Sequence, residues 1–267
     1  MTTVAQAFAR AAAQDRAALI GYLPAGFPDR ETSVRLLQAM IDSGVDIIEV
    51  GIPYSDPLMD GPTICEAVDV ALRAGVTTDD VFDVVAAVSS GPAAVLVMTY
   101  WNLVERYGTA RFARRLVAAG GSGTITPDLT PEEGSDWIAI CDESELAHVF
   151  LAAPSSTDER IATVSAAATG FVYAASLMGV TGVRTSMGAG AADLVARIRP
   201  AAQVPVAVGI GVSTPEQAHE VAQFADGVIV GSAFVRRVLD AADPQAAVAA
   251  VGDFAGELAA AVRRPTD

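Results

Sequence analysis

Glu49 is the first residue of this sequence whose type and position ask for a chemical explanation. It interrupts an otherwise apolar segment, DIIEV at residues 46–50, that reads as a buried strand. A carboxylate in such a strand is costly unless it is paired or at work. Once desolvated, it would hold its proton more tightly than a free glutamate and could act as acid and base near neutral pH. The alternative is a structural carboxylate bonded to backbone or to a tyrosine. Asp60 follows eleven residues later, in the loop GIPYSDPLMDGP, within reach of the same place. Two carboxylates at one mouth suit stepwise proton transfer without a metal. Asp56 lies in the same loop, where a surface or partner-facing role is the competing reading.

Glycine-rich turns supply a second chemistry. GIGVS at residues 209–213 and VGSA at 230–233 end strand-like runs and enter helix-like ones, and GVTG stands at 179–182. Glycine lets a backbone approach an anion closely, and the amides of a helix start can hold phosphate. Plain tight turns are the alternative. The stretch 177–192 contains Gly179, Gly182, Gly188 and Gly190. It reads as a lid that closes over a site, or as a mere connection.

The elements that must position these residues alternate along the chain. Eight short apolar runs read as strands buried on both faces: 18–23, 46–50, 93–98, 123–126, 148–152, 170–174, 204–208 and 227–230. Helix-patterned stretches lie between them, opening at Asp29, Thr78, Ser156–Thr157 and Thr214–Pro215, with a long alanine-rich one at 245–263. Eight strand–helix units with no linker predict one domain over residues 1–267, a (β/α)8 TIM barrel. A doubly wound open sheet is the structural alternative. In a barrel the site lies at the C-terminal ends of the strands. There this sequence offers Tyr22, Glu49, Met98, Tyr100, Asn102, Asp128, Tyr173, Gly209, Gly211, Gly231 and Ser232.

Composition excludes much else. All 17 basic residues are arginine, so no lysine Schiff base and no Walker-type lysine can form. His148 and His219 are the two histidines, too few for a three-histidine zinc site. Cys65 and Cys141 have no metal spacing and read as small buried hydrophobes. A net charge of −15 argues against nucleic acid and anionic lipid. The amphipathic N-terminus is interrupted by Arg10, Asp15 and Arg16 and does not read as a signal peptide. With no membrane span in the sequence, a cytoplasmic protein is expected.

IEVGIPYSDPLMDGPTI at 48–64 resembles the signature of the tryptophan synthase α subunit family. YLPAGFPD at 22–29, MTYWN at 98–102, ITPDL at 125–129, FLAAPSSTDER at 150–160, FVYAASLMGVTG at 171–182 and DGVIVGSA at 226–233 agree in order and spacing. The resemblance implies a TIM barrel that cleaves indole-3-glycerol phosphate to indole and glyceraldehyde 3-phosphate. It implies Glu49 as the acid–base group and Asp60 as the carboxylate on the indole side. Tyr173 would stand beside Glu49. Tyr22, Met98, Tyr100 and Pro127 would line the indole pocket, Thr181 would close toward Asp60, and Gly182, Gly209, Gly211, Gly231 and Ser232 would hold phosphate.

The same resemblance implies no cofactor in this chain. It implies a β subunit as partner, two α and two β chains together, with pyridoxal phosphate in the β subunit and indole passed to it. Met59 stands where the family usually has a small residue, Cys65 where it has glutamine, and Thr130 where proline is frequent. Met59 puts the geometry of the Asp60 loop in question more than the reaction. A free-standing lyase, a regulatory barrel and an epimerase or isomerase barrel are the other readings; the intact carboxylates and the first motif argue against the last two.

Overall fold

The computed structural model describes residues 2–175, 187–209 and 211–264, with backbone alone for 187–189. Its centre is a closed barrel of parallel strands. These are β1 (Ala18–Pro24), β2 (Ile47–Gly51), β3 (Ala94–Met98), β4 (Gly123–Ile125), β5 (Ala147–Ala152), β6 (Val172–Ala174), β7 (Val206–Gly209) and β8 (Gly227–Val230). β8 pairs back onto β1, with Ala18 opposite Gly227. Around it run α1 (Val4–Ala12), α2 (Arg30–Asp42), α3 (Pro62–Arg73), α4 (Thr78–Val88), α5 (Trp101–Tyr107), α6 (Thr109–Ala118), α7 (Ser135–Glu143), α8 (Asp158–Ala167), α9 (Met187–Ile198), α10 (Pro215–Ala222), α11 (Ser232–Leu239) and α12 (Pro244–Ala261). The expected (β/α)8 barrel is thus formed, and the open sheet is not.

The caps explain where the helices start. Asp29 accepts from the Thr32 amide at 2.8 Å and opens α2. Thr77, one residue before the expected start, forms a capping box with Asp80 and opens α4. Thr157 and Thr214 cap α8 and α10. Strand starts move more. The run at 204–208 becomes strand only from Val206, because Pro205 has no N–H for the ladder. In the glycine-rich stretch at 177–192, residues from Met187 onward are helix, the first turns of α9. That shortens the expected lid; residues 177–186 lie outside the described residues.

Side chains alternate along each strand, so every second residue enters the barrel. Ala18, Ile20, Ile47, Ala94, Leu96, Ile125, Phe171, Ala207 and Ile229 form an apolar plug inside it. Their neighbours Leu19, Ile48, Val50, Val95 and Val97 pack outward against the helices. Helix α1 closes the lower end, adding Val4, Ala7, Phe8 and Ala11 to the plug, with Phe8 5.7 Å from Phe171 ring to ring. At the foot of β2, Asp46 is 4% exposed. Arg16 grips both its oxygens at 2.5 and 2.8 Å, and the Leu19 amide donates to it at 3.0 Å. No helix among the described residues is long and apolar enough to cross a membrane.

Candidate active site

One step of the strand alternation above the plug, the inward residues change character. Two beyond Ile47 is Glu49; two beyond Leu96 is Met98; two beyond Phe171 is Tyr173. Two beyond Ile20 is Tyr22, and two beyond Ala207 and Ile229 are Gly209 and Gly231. All six of these line one cavity of about 200 Å³ at the C-terminal ends of the strands. The strand register lays Tyr22 directly beside Glu49. The period that builds the plug therefore also delivers the site.

Glu49 is 1% exposed. Its Oε1 has no hydrogen-bond partner among the described protein atoms. Burial pushes its carboxyl up to about 8, since the charged form has lost its water. Tyr22 and Tyr173 flank it. Burial raises both phenols well above their usual range, and the nearby Glu49 and Asp60 add to the rise. Both rings need glycine neighbours. A Cβ at Gly209 would collide with the Tyr173 hydroxyl, and one at Gly51 with that of Tyr22. Gly209 thus has a packing reason of its own, which reading the turn for anions alone does not reveal.

Asp60 lines the same cavity from the loop between β2 and α3. Gly61 caps α3 and Pro62 occupies its first turn, so the loop stops directly after the carboxylate. Burial raises the Asp60 carboxyl, and the neighbouring Tyr100 hydroxyl works against that rise. The Cys65 thiol approaches the Asp60 carbonyl at 3.5 Å. Met59 also lines the cavity and is 49% exposed. Thr130, the other departure named above, accepts from the Glu133 amide and closes a turn.

The opposite wall is made of Gly209, Gly211, Gly231 and Ser232. Gly211 has φ +50°, a conformation that favours glycine. Ser232 is the first residue of α11, so the amides of that helix end are oriented for an anion. Thr181 and Gly182 lie outside the described residues. Ile64, Val212 and Ile229 complete the lining; the sequence reading missed them. Ile64 sits in the first turn of α3, four residues past Asp60, a spacing that could have revealed it. Tyr100 and Pro127 stand outside the lining. Tyr100 lies beneath the Asp60 loop, while Pro127 follows β4 and is half-buried.

Other candidates take structural positions. Asp128 accepts from the Trp101 amide at 2.9 Å and pins the start of α5. Asn102 donates to the Tyr54 hydroxyl at 3.2 Å. Asp56 is exposed. Cys141 is buried and its thiol is pushed up to about 12 by that burial, which makes it inert. Burial lowers the affinity of His148 for a proton, far from the cavity at the start of β5. Among the described residues no three His, Cys, Asp or Glu side chains converge as a metal-binding set. The arrangement is thus a desolvated acid, a second carboxylate, two tyrosines and an anion-oriented wall.

The comparisons with known proteins agree with this geometry. The family described as Tryptophan synthase alpha chain matches residues 8–263. A tryptophan synthase alpha chain from Acidothermus cellulolyticus is 58% identical, covering 99% of this chain and 98% of its own length. One from Thermobifida fusca is 56% identical over 98% of each. A solved tryptophan synthase chain from Mycobacterium tuberculosis superposes with a TM-score of 0.91 at 49% identity, covering 99% of this chain and all of its own. A tryptophan synthase subunit alpha from Legionella pneumophila superposes at 0.88 with 31% identity over 98% of each. With family, relatives and structures in agreement over nearly the whole length, this chain belongs to the tryptophan synthase alpha chain family.

Proposed function

We propose that this chain runs the reaction of its family with two carboxylates and neither metal nor Schiff base. The reaction is retro-aldol cleavage of indole-3-glycerol phosphate to indole and D-glyceraldehyde 3-phosphate. The observation that carries the mechanism is Glu49, a buried carboxyl whose Oε1 has no hydrogen-bond partner among the described atoms and whose affinity for a proton is set near neutral pH.

Glu49 starts protonated and gives its proton to C3 of the indole ring. Positive charge then develops at the ring nitrogen, where the Asp60 carboxylate accepts the N–H and stabilises it. The Glu49 carboxylate so formed takes the proton of the glycerol hydroxyl next to the bond that breaks. That carbon becomes the aldehyde, the electron pair of the C–C bond returns to the ring, and Glu49 ends protonated as it began. The indole ring is its own electron sink, so the chemistry asks for no imine. A chain without lysine could not form one.

In this reading Tyr22 and Met98 flank the ring and Tyr173 packs beside Glu49. The amides around Gly209, Gly211, Gly231 and Ser232 hold the phosphate, joined by Gly182, with Thr181 closing over Asp60. The chain acts as one domain in the cytoplasm and carries no cofactor. A β subunit with pyridoxal phosphate takes the indole, in an assembly of two α and two β chains. Leu58, 77% exposed, and Met59 present the apolar surface such a partner would cover.

The test is indole release from indole-3-glycerol phosphate by the purified chain, with and without a cognate β subunit. Slow release alone that rises strongly with the β subunit is expected. Fast release unaffected by it would indicate a free-standing lyase. Substrate bound but never cleaved in either condition would refute the mechanism.

A further inference from the structure

Tyr100 is 5% exposed, yet its ring is outside the lining of the cavity. The backbone on both sides of it is fixed. The Thr99 amide donates to the Ile125 carbonyl at 3.0 Å, and the Trp101 amide to Asp128. The loop above it is different. Between Ile52 and Asp60 there is neither helix nor strand. At its start the Ile52 amide bonds to the Met98 carbonyl at 2.9 Å. Near its end the amides of Leu58 and Met59 both donate to the Tyr100 hydroxyl, at 3.2 and 3.1 Å.

A phenol oxygen has two acceptor positions and one proton. The two amides fill the acceptor positions, so the proton is left to donate. The nearby Asp60 carboxylate makes that proton harder to lose. Tyr54 stacks against the Tyr100 ring at 5.3 Å and is itself held by Asn102.

We propose that Tyr100 is a positioning residue, whose hydroxyl ties the loop carrying Asp60 to the barrel wall and so fixes where that carboxylate stands. The kinetic side of this rests on the reaction proposed above; the tether itself does not. Burial keeps the phenol protonated, so it meets the two amides as a neutral hydroxyl. Asp60 has only to keep its place for the charge at the ring nitrogen to be stabilised, and small misplacements of such groups are expensive in rate.

Tyr100→Phe keeps the ring and its stacking and removes only the tether. Hydrogen exchange in the free chain should find the Leu58 and Met59 amides protected, and the variant should lose that protection. In indole release, kcat should fall about tenfold to hundredfold while KM stays within about threefold. Unchanged exchange in the variant would overturn the tether. Unchanged kcat with a raised KM would make Tyr100 an ordinary pocket residue. Should the variant not fold, the unsubstituted chain decides: Leu58 and Met59 amides exchanging as fast as that of exposed Ser55 would refute the proposal. An unsubstituted chain that never releases indole would sink the reaction and leave the exchange result to judge the tether.

Discussion

Asp46 and Glu49 are three residues apart, at the foot of β2 and inside it, and both are buried, at 4% and 1% exposure. Asp46 is held by both arms of Arg16 and by the Leu19 amide, with Arg10 3.8 Å away. Glu49 Oε1 has no hydrogen-bond partner among the described atoms. One carboxylate is therefore a structural clasp between the N-terminal segment and the barrel. The other is left where losing its proton is hard, which suits a group that must give and retake one. Burial is common to both; the absence of a hydrogen-bond partner at Oε1 is what sets Glu49 apart from Asp46.

The comparison can be broken most sharply at Glu49. Glu49→Gln should lower indole release by about a thousandfold while phosphate ligands still bind. Near-normal release in that variant would remove Glu49 from the mechanism. Asp46→Asn should do the reverse. It leaves Arg16, whose side chain is only 10% exposed, without its counter-charge, a loss of about 3 kcal/mol in chemical denaturation, with release per folded molecule kept. A large loss of rate with little loss of stability would contradict the division between the two.

A third effect concerns pH. The Glu49 carboxyl moves from 4.5 in the unfolded chain to about 8 in the folded one. Between those values the folded state holds a proton that the unfolded state has released. This contribution to stability is full below the unfolded value and is lost as pH rises through the folded one. Glu49→Gln should thus be more stable than the parent by about 5 kcal/mol near pH 9. The gap should close below about pH 5. A gap that widened on acidification would mean that Glu49 is stabilised as an anion. The smallest effect is expected at a third carboxylate. Asp240 is 67% exposed and pairs with Arg236 at 3.9 Å. Asp240→Ala should change stability by less than about 0.5 kcal/mol.

Much of this was legible in the sequence because it is local. The strands are continuous apolar runs, the helix starts carry their caps, and Glu49 betrays itself by interrupting such a run. The strand period then places Tyr22, Met98 and Tyr173 beside it. What was not legible depends on pairs distant in the chain. Arg16 meets Asp46 across 30 residues, and Tyr100 meets the amides of Leu58 and Met59 across about 40. No local pattern encodes either meeting. Tyr100 in particular gives no hint of it, because a strand-end aromatic gives no sign of whether its ring or its hydroxyl is the part in use. Gly209 is a related case: it suits an anion-binding turn, and only the fold reveals the tyrosine hydroxyl lying against it.

The floor of the barrel has a consequence for traffic. With α1 seated under the plug and Phe8 against Phe171, the lower end is shut among the described residues and the doorway is at the upper end. Reactant, aldehyde and indole then all pass by the end of the barrel where Glu49 stands. Whatever stands at that doorway therefore governs both the order of departure and the destination of what leaves.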